Sequence, residues 1–501
     1  MLLTALCVLY DQGQRLPQDF YALYEALVGQ VLYRRYPSPN DQFRVRLRLE
    51  AIALGMHRGT TRRRVTPSAE VDSEEIDRHL TDLSKSNPVT ESGAVEAAER
   101  REDLLSKSGL LLPRPRGRAG FYHLSFQEFL AAGRLRSARE APKAVLERHA
   151  ATPAWHRTLR FLFCAIADKE SPDAAMDAFQ GLLRHLTPAE LDRNPQPALL
   201  LADCMEVAHG RGWSITGFAE PLRRACGHAL ARLNPPERTR LWRTLGRLGL
   251  DDRAGVGLKE GVPDIDWVEV PAGPFLYGEE RKPRQLRAFR IARHPITNAQ
   301  FQSFLDDGGY QTEEWWDGLA ERLEPRSGRW TDPNHPRETV PWYEAVAYAR
   351  WLDARLRQRN RLPAGWTIRL PTEEEWEKAA RGGDGREFPW GQFASGLANV
   401  NETWGDAGPY YFGQTSPVGV YPAGASPCGM LDASGNVWEW CLNESQHPDL
   451  TGTAGNARRV ARGGSWDNAR GSARCAYRRG RAPGCRDDIL GFRLLSVSPI
   501  L

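Results

Sequence analysis

The chain has no CxxC pair, no GxxxxGK[ST] loop and no apolar run long enough to cross a bilayer. Each absence closes off a class of function. The eight cysteines (Cys7, Cys164, Cys204, Cys226, Cys428, Cys441, Cys475 and Cys485) are spread over 501 residues. That spread is neither a dense disulfide framework nor a metal knuckle, and it suits a reducing cytoplasm. Without the Gly-rich loop, nothing cradles the phosphates of ATP in the P-loop manner. The most apolar stretch, residues 1–10, has no basic residues ahead of it and no small-residue cleavage site, and Asp11 interrupts it. It falls short of the ~18 residues a bilayer requires, so we read it as a buried helix rather than a signal peptide. An excess of one charge is lacking too. Lys and Arg number 67 against 63 Asp and Glu, a formal +4, so no global field draws the chain to nucleic acid or anionic lipid.

What is present divides into two halves. At 501 residues the chain is too long for one core, and about 100–200 residues per domain implies a multidomain protein. From Leu16 to about Leu250 apolar residues recur at helical spacing, as in Phe20, Leu23, Leu27, Val31 and Leu32, so this half reads as all-α. Residues 68–93, rich in Ser, Glu and Asp, read as an amphipathic helix and a solvated loop. Residues 113–120 (Pro113-Arg-Pro-Arg-Gly-Arg-Ala-Gly120) read as a tight basic turn. After Leu250, Gly, Pro, Trp and Tyr become frequent and helical periodicity fades, which marks a second kind of fold.

The basic turn leads into Phe121-Tyr-His-Leu-Ser-Phe-Gln-Glu-Phe-Leu-Ala-Ala132. This segment resembles the one closing the winged-helix part of NACHT-type signalling ATPases. The resemblance covers residues 1–136 and implies a winged-helix remnant, with a nucleotide-binding module upstream or on another polypeptide. His123 and Glu128 have no third partner in sequence, so they read as structural contacts rather than an acid/base pair. Residues 137–255 read as a helical spacer and 256–264 as a linker.

In the second half, residues 267–278 alternate like a strand entering a turn. Residues 289–298 run from a strand into a helix capped at Thr297 or Asn298 and continuing through 299–305. Residues 340–352 form an amphipathic helix, and Thr372 with Glu375 makes a capping box. Few helices among many short strands give an α+β pattern. The motifs are the Pro-Ala-Gly-Pro-Phe275 strand, Asn298-x-x-Phe301, Arg369-Leu-Pro-Thr-Glu-x-Glu-Trp376, Gly435-Asn-Val-Trp-Glu-Trp440, Arg462-Gly-Gly-Ser-Trp466 and Gly491-Phe-Arg493. Together they resemble the formylglycine-generating-enzyme (sulfatase-modifying factor) family of C-type-lectin fold, over residues 265–498.

That resemblance implies three possible roles. The oxidases of the family bind copper through two cysteines soon after the Gly-Gly-Ser motif, because thiolates suit monovalent copper. Here Asn468 stands at the first thiolate position and the second falls near Ala473, so neither copper nor catalysis is expected. The related sulfoxide synthases hold iron through three histidines, whereas His294, His335 and His447 are isolated in sequence and each is followed by Pro. The third role is display. The family's last segment also resembles the variable region of proteins diversified by retroelements, about residues 460–493 here.

In those systems errors at adenines of Asn-type codons yield residues that exclude Lys, Glu, Gln, Met and Trp. Residues 467–489 contain none of the five. The frame would be Arg459–Trp466, Arg474, Arg478, Pro483, Arg486 and 490–494. The variable, ligand-binding surface would be Asp467, Asn468, Ala469, Gly471, Ser472, Cys475, Tyr477, Arg479, Arg481, Ala482, Cys485, Asp487, Asp488 and Ile489. Tyr and Arg suit such a surface, one offering area with a polar tip and the other bidentate bonds. Its partner is expected to be a protein or other macromolecule. The crowding of arginines also admits a nucleic-acid reading, which Asp487 and Asp488 offset.

The resemblance further implies a structural calcium ion on Asp432, Gly435, Val437 and Glu439, hard oxygen ligands suited to that ion. The alternative is that Glu439 pairs with an arginine. At the family's other calcium site Asn399 fits, but the stretch to Phe412 departs in spacing.

Overall fold

The computed structural model describes residues 19–59, 67–88, 90–91, 96–137 and 141–498. The helix expected over residues 1–10 lies outside these. Two compact units divide between Ala229 and Leu230. Among the described residues no helix is long and apolar enough to cross a membrane.

The first unit is mainly helical, as its periodicity implies. In Pro39–Arg58 the Ser38 side chain caps the Asp41 amide, Pro39 occupies the first turn and Arg58 lies in the last, a charge that complements the helix dipole. Its buried Val45, Leu49, Ile52, Ala53 and Met56 share one face by their spacing of three and four. A short strand, Val71–Asp72, pairs antiparallel with Arg118–Phe121, which pairs with Leu111–Arg114. The turn between the last two carries Arg116 and Gly117 at φ of 63° and 68°, the doubly left-handed geometry of a tight hairpin. Two helices, Ser73–Ser86 and Ala97–Lys107, lie between the short strand and that hairpin. The helix Leu124–Ser137 follows, where His123 Nδ1 lies 2.7 Å from Ser125 Oγ and Glu128 pairs with Arg157 at 3.2 Å. Both residues are structural contacts there.

The second unit opens with a helix that the sequence had placed in the spacer. Pro235–Arg247 packs against the domain that follows it. Asn334 Nδ2 donates to the Trp242 carbonyl and to Asp251 Oδ2, both at 2.7 Å, and Arg253 lies over the Trp242 ring at 4.0 Å. Periodicity identified the helix, but Asn334 lies 92 residues from Trp242 in sequence.

Two four-stranded sheets organise the rest of this unit. One has the order Thr367–Arg369, Leu495–Val497, Phe289–Ala292, Trp267–Val270 and is antiparallel. The other runs Arg478–Arg481, Arg459–Arg462, Trp438–Glu444, Leu490–Gly491, with the last pair parallel. Helix Asn298–Asp306 begins with a Thr297/Gln300 capping box and Glu373–Arg381 with a Thr372/Glu375 one. Helix Trp342–Gln358 runs further than residues 340–352 because it carries buried Leu356 into the core beside Trp351 and Leu352. The fold is mixed α/β, with Trp342, Trp351, Trp376, Trp438 and Trp440 wholly inside.

Two imidazoles are held neutral in this unit. Burial pushes His335 down to about 3 and His294 well below the usual range. In the unfolded chain a histidine titrates near ~6.5, so between these values the unfolded state binds more protons. The stability these residues contribute is present above about pH 6.5 and is lost as pH falls toward the folded values. The melting temperature is expected to drop from pH 7 to pH 4.5, less steeply in His335→Gln. Parallel profiles for the two proteins would count against this assignment.

Candidate ligand-binding face

The end of the second unit stands on a floor of buried charge. Glu439 Oε1 accepts from Arg493 at 2.6 Å, while Oε2 accepts from Arg493 at 2.5 Å and from Trp376 Nε1 at 2.6 Å. Arg462 pairs with Glu377 and donates to the carbonyls of Ala476 and Tyr477. Arg459 donates to the Leu442 carbonyl and lies over the Trp342 ring at 4.1 Å. All three arginines are inaccessible to solvent, so the frame expected from the sequence is a framework of internal salt links and hydrogen bonds.

This geometry gives Glu439 an arginine partner, the alternative to its reading as a calcium ligand. Both oxygens of Glu439 are taken by donors, and an ion there would sit beside the Arg493 guanidinium. Gly435 has φ of 81° and lies against the Asn399 carbonyl, which makes it a backbone fitting. Val437 is core. Asp432 is buried, its carboxyl pushed up to about 6 by that burial, and it accepts from the Gly419 amide at 2.7 Å. Among the described residues no group of three or more His, Cys, Asp or Glu is arranged to hold a metal.

Above the floor, Gly463 and Gly464 turn the chain with φ of 93° and 72°. Asn468, at the family's first thiolate position, is an acceptor: its Oδ1 takes bonds from Ser465 Oγ at 2.7 Å and Trp438 Nε1 at 2.8 Å. Ala473 is buried. An amide and a methyl thus occupy the two positions where copper chemistry needs thiolates. Cys475 is a correction to the expected surface. It is fully buried in an apolar cluster with Trp376, Cys441 and Val460, and burial pushes its thiol up to about 12, so it faces no ligand.

The other thirteen expected surface residues are exposed or half-buried. Arg479 lies 6.0 Å over Trp438, whose ring also meets Tyr477 at 5.9 Å. Arg481 pairs with Asp487 at 3.2 Å. The frame arginines are matched by carboxylates: Arg474 with Glu279, Arg478 with Glu373 and Arg486 with Glu344. That pairing weakens the case for a nucleic-acid patch, which needs unspent charge.

Several contributors to the face were missed from sequence. Tyr411, 43% exposed, stacks with Trp466 at 6.3 Å, and its hydroxyl donates to Asp467 Oδ1 at 3.0 Å. Trp330 also meets Trp466, edge-on at 6.2 Å. Arg329 lies over Trp330 at 4.8 Å and pairs with Asp488 at 2.7 Å. Trp404, 63% exposed, sits in the turn whose Asn401 amide donates to the Asn468 carbonyl. Residues 327–333 and 401–412 have no periodicity, so only the fold reveals that they reach this place.

A family model, the sulfatase-modifying factor enzyme 1-like domain, matches residues 259–497. The hercynine oxygenase of Mycolicibacterium thermoresistibile is 34% identical over 349 residues, 61% of this chain and 70% of that protein. The chain belongs to the sulfatase-modifying factor enzyme 1-like family. A further relative in this family, the inactive C-alpha-formylglycine-generating enzyme 2 of Mus musculus, is 33% identical over 46% of this chain and 86% of its own. The chain spans between 52% and 70% of the hercynine oxygenases it matches. Family membership therefore spans proteins named as enzymes and one named inactive. Among solved structures, Treponema denticola variable protein 1 aligns at a TM-score of 0.35 and 22% identity, over 48% of this chain and 97% of that one. An alignment at that score bears no weight on function.

Proposed function

We propose that the second unit is a binding module without catalysis, the variable protein of a diversity-generating retroelement, displaying residues 467–489 to a macromolecular ligand. The carrying observation is the contrast between a closed frame and an open face. Arg459–Trp466 are buried, while thirteen of the fourteen residues read as variable are at least partly exposed. Such a partition lets surface residues change without disturbing the charges beneath, since substitutions away from core and network are usually worth under ~0.5 kcal/mol. The absence of Lys, Glu, Gln, Met and Trp from 467–489 supports the same reading. The helical unit, with its NACHT-like segment, would receive the signal of binding, which acts by favouring one arrangement over another.

The deciding experiment is to sequence the DNA flanking the gene. The expected result is a near-copy of the segment encoding 460–493, differing only at adenines and lying beside a reverse transcriptase. Its absence would leave a binding module of fixed specificity. Catalysis is tested separately with monovalent copper and a cysteine-containing peptide. No aldehyde product and no oxygen uptake above free metal are expected, whereas turnover abolished by Cys475→Ser would restore the oxidase reading.

A further inference from the structure

The aromatic residues flanking the face form a slot beside the positions read as variable. Tyr411, Trp466 and Trp330 come from three separate segments and pack in sequence at 6.3 and 6.2 Å. Of these, only Trp466 belongs to the Gly-Gly-Ser frame. The two acidic residues that meet the slot, Asp467 and Asp488, are both positions read as variable. Asp467 receives the Tyr411 hydroxyl, and Asp488 receives Arg329 while its carbonyl lies 3.3 Å from Trp466 Nε1.

We infer that this slot binds a cationic side chain, arginine or lysine, of a protein ligand. The inference rests on the binding-module reading and adds the chemistry of one subsite to it.

Charge and ring geometry carry the argument. Two carboxylates against one guanidinium leave the slot net negative. Asp467 is exposed, and its side-chain partner is a neutral hydroxyl, so its charge is available. Aromatic faces attract cations through their quadrupoles, by about 0.5–1 kcal/mol when exposed and about 2 when dry. The chain already displays the chemistry in its own Arg329, which lies over Trp330 while paired with Asp488. Arg329 is 61% exposed at its side chain, so a ligand cation approaching the exposed Asp467 carboxylate beside the Tyr411 ring does not have to displace a buried group. Because 467 and 488 are the changeable members, substitution there would reset the charge preference while the rings stay in place. Asp467 and Asp488 are thus specificity-determining residues and the rings are the common platform.

The test uses the full-length chain and the peptide acetyl-Gly-Arg-Gly-amide, with acetyl-Gly-Glu-Gly-amide as the opposite charge. Binding is followed by the indole NMR signals of Trp330 and Trp466, assigned by single Trp→Phe variants. The arginine peptide is expected to shift both signals saturably, the glutamate peptide to bind at least tenfold more weakly, and Asp467→Asn to weaken arginine binding about tenfold or more. Asp467→Arg is expected to invert the preference. Equal response to both peptides, or unchanged arginine binding in Asp467→Asn with its melting temperature intact, would overturn the inference. The outcomes separate from those of the DNA test. A templated repeat without arginine binding removes the slot and keeps the variable-protein reading. Arginine binding without a repeat keeps the slot on a module of fixed specificity.

Discussion

Glu439→Gln is expected to destabilise the second unit by about 3–5 kcal/mol, the range seen when one partner of a buried ion pair is removed. The glutamate accepts three short hydrogen bonds, two from Arg493 and one from Trp376. A glutamine keeps the volume but offers one acceptor in place of two and turns an NH2 group toward a guanidinium. Arg493 would then be a buried charge with only the carbonyls of Ala292, Arg293 and Leu431 for partners. Near ~2–4 °C per kcal/mol for a unit of this size, the loss is read as a fall of roughly 10 °C in melting temperature. The same measurement tests the metal assignment. Calcium and a chelator are expected to leave the wild-type melting temperature unchanged, and a calcium-dependent rise would return Glu439 to an ion site.

Gly435→Ala is the second large effect, expected to cost more than about 4 kcal/mol, the level reached only by specific structural faults. The backbone there has φ of 81°, a region costing an L-residue roughly 1–2 kcal/mol. An added Cβ would also lie 2.3 Å from the Asn399 carbonyl oxygen and 2.7 Å from a Val400 methyl. Neither can retreat freely. Asn399 bridges to Gly435, and the Asn436 amide donates to the same carbonyl at 2.8 Å. Gly471→Ala is the matched control, since a Cβ there meets nothing within 4 Å and Gly471 belongs to the open face. It is expected to change melting temperature by less than about 1 °C, in line with surface substitutions. Comparable losses in both variants would mean that Gly435 has no special fit.

The sequence by itself determined what local physics can determine. The capping box at Thr372 follows from a hydroxyl and a carboxylate three residues apart, and the α/β character of the second half follows from short alternating runs among turn residues; the cap left open between Thr297 and Asn298 was settled as Thr297 by the structure. The division between frame and face over 459–489 came from the family resemblance, and within it only residues 459–466 are buried throughout. Cys475 was misread because a cysteine in a loop-like string carries no sign of which way it points, and only the apolar cluster around it settles that. The tertiary structure alone decided partners distant along the chain. It placed helix Pro235–Arg247 in the second unit through Asn334. It turned Glu439 from a prospective metal ligand into the partner of Arg493, 54 residues away. It also brought Trp330 and Tyr411 beside Trp466. Hydrogen bonds and salt links act over a few ångströms in space and leave no period in sequence, so these assignments had to wait for the fold.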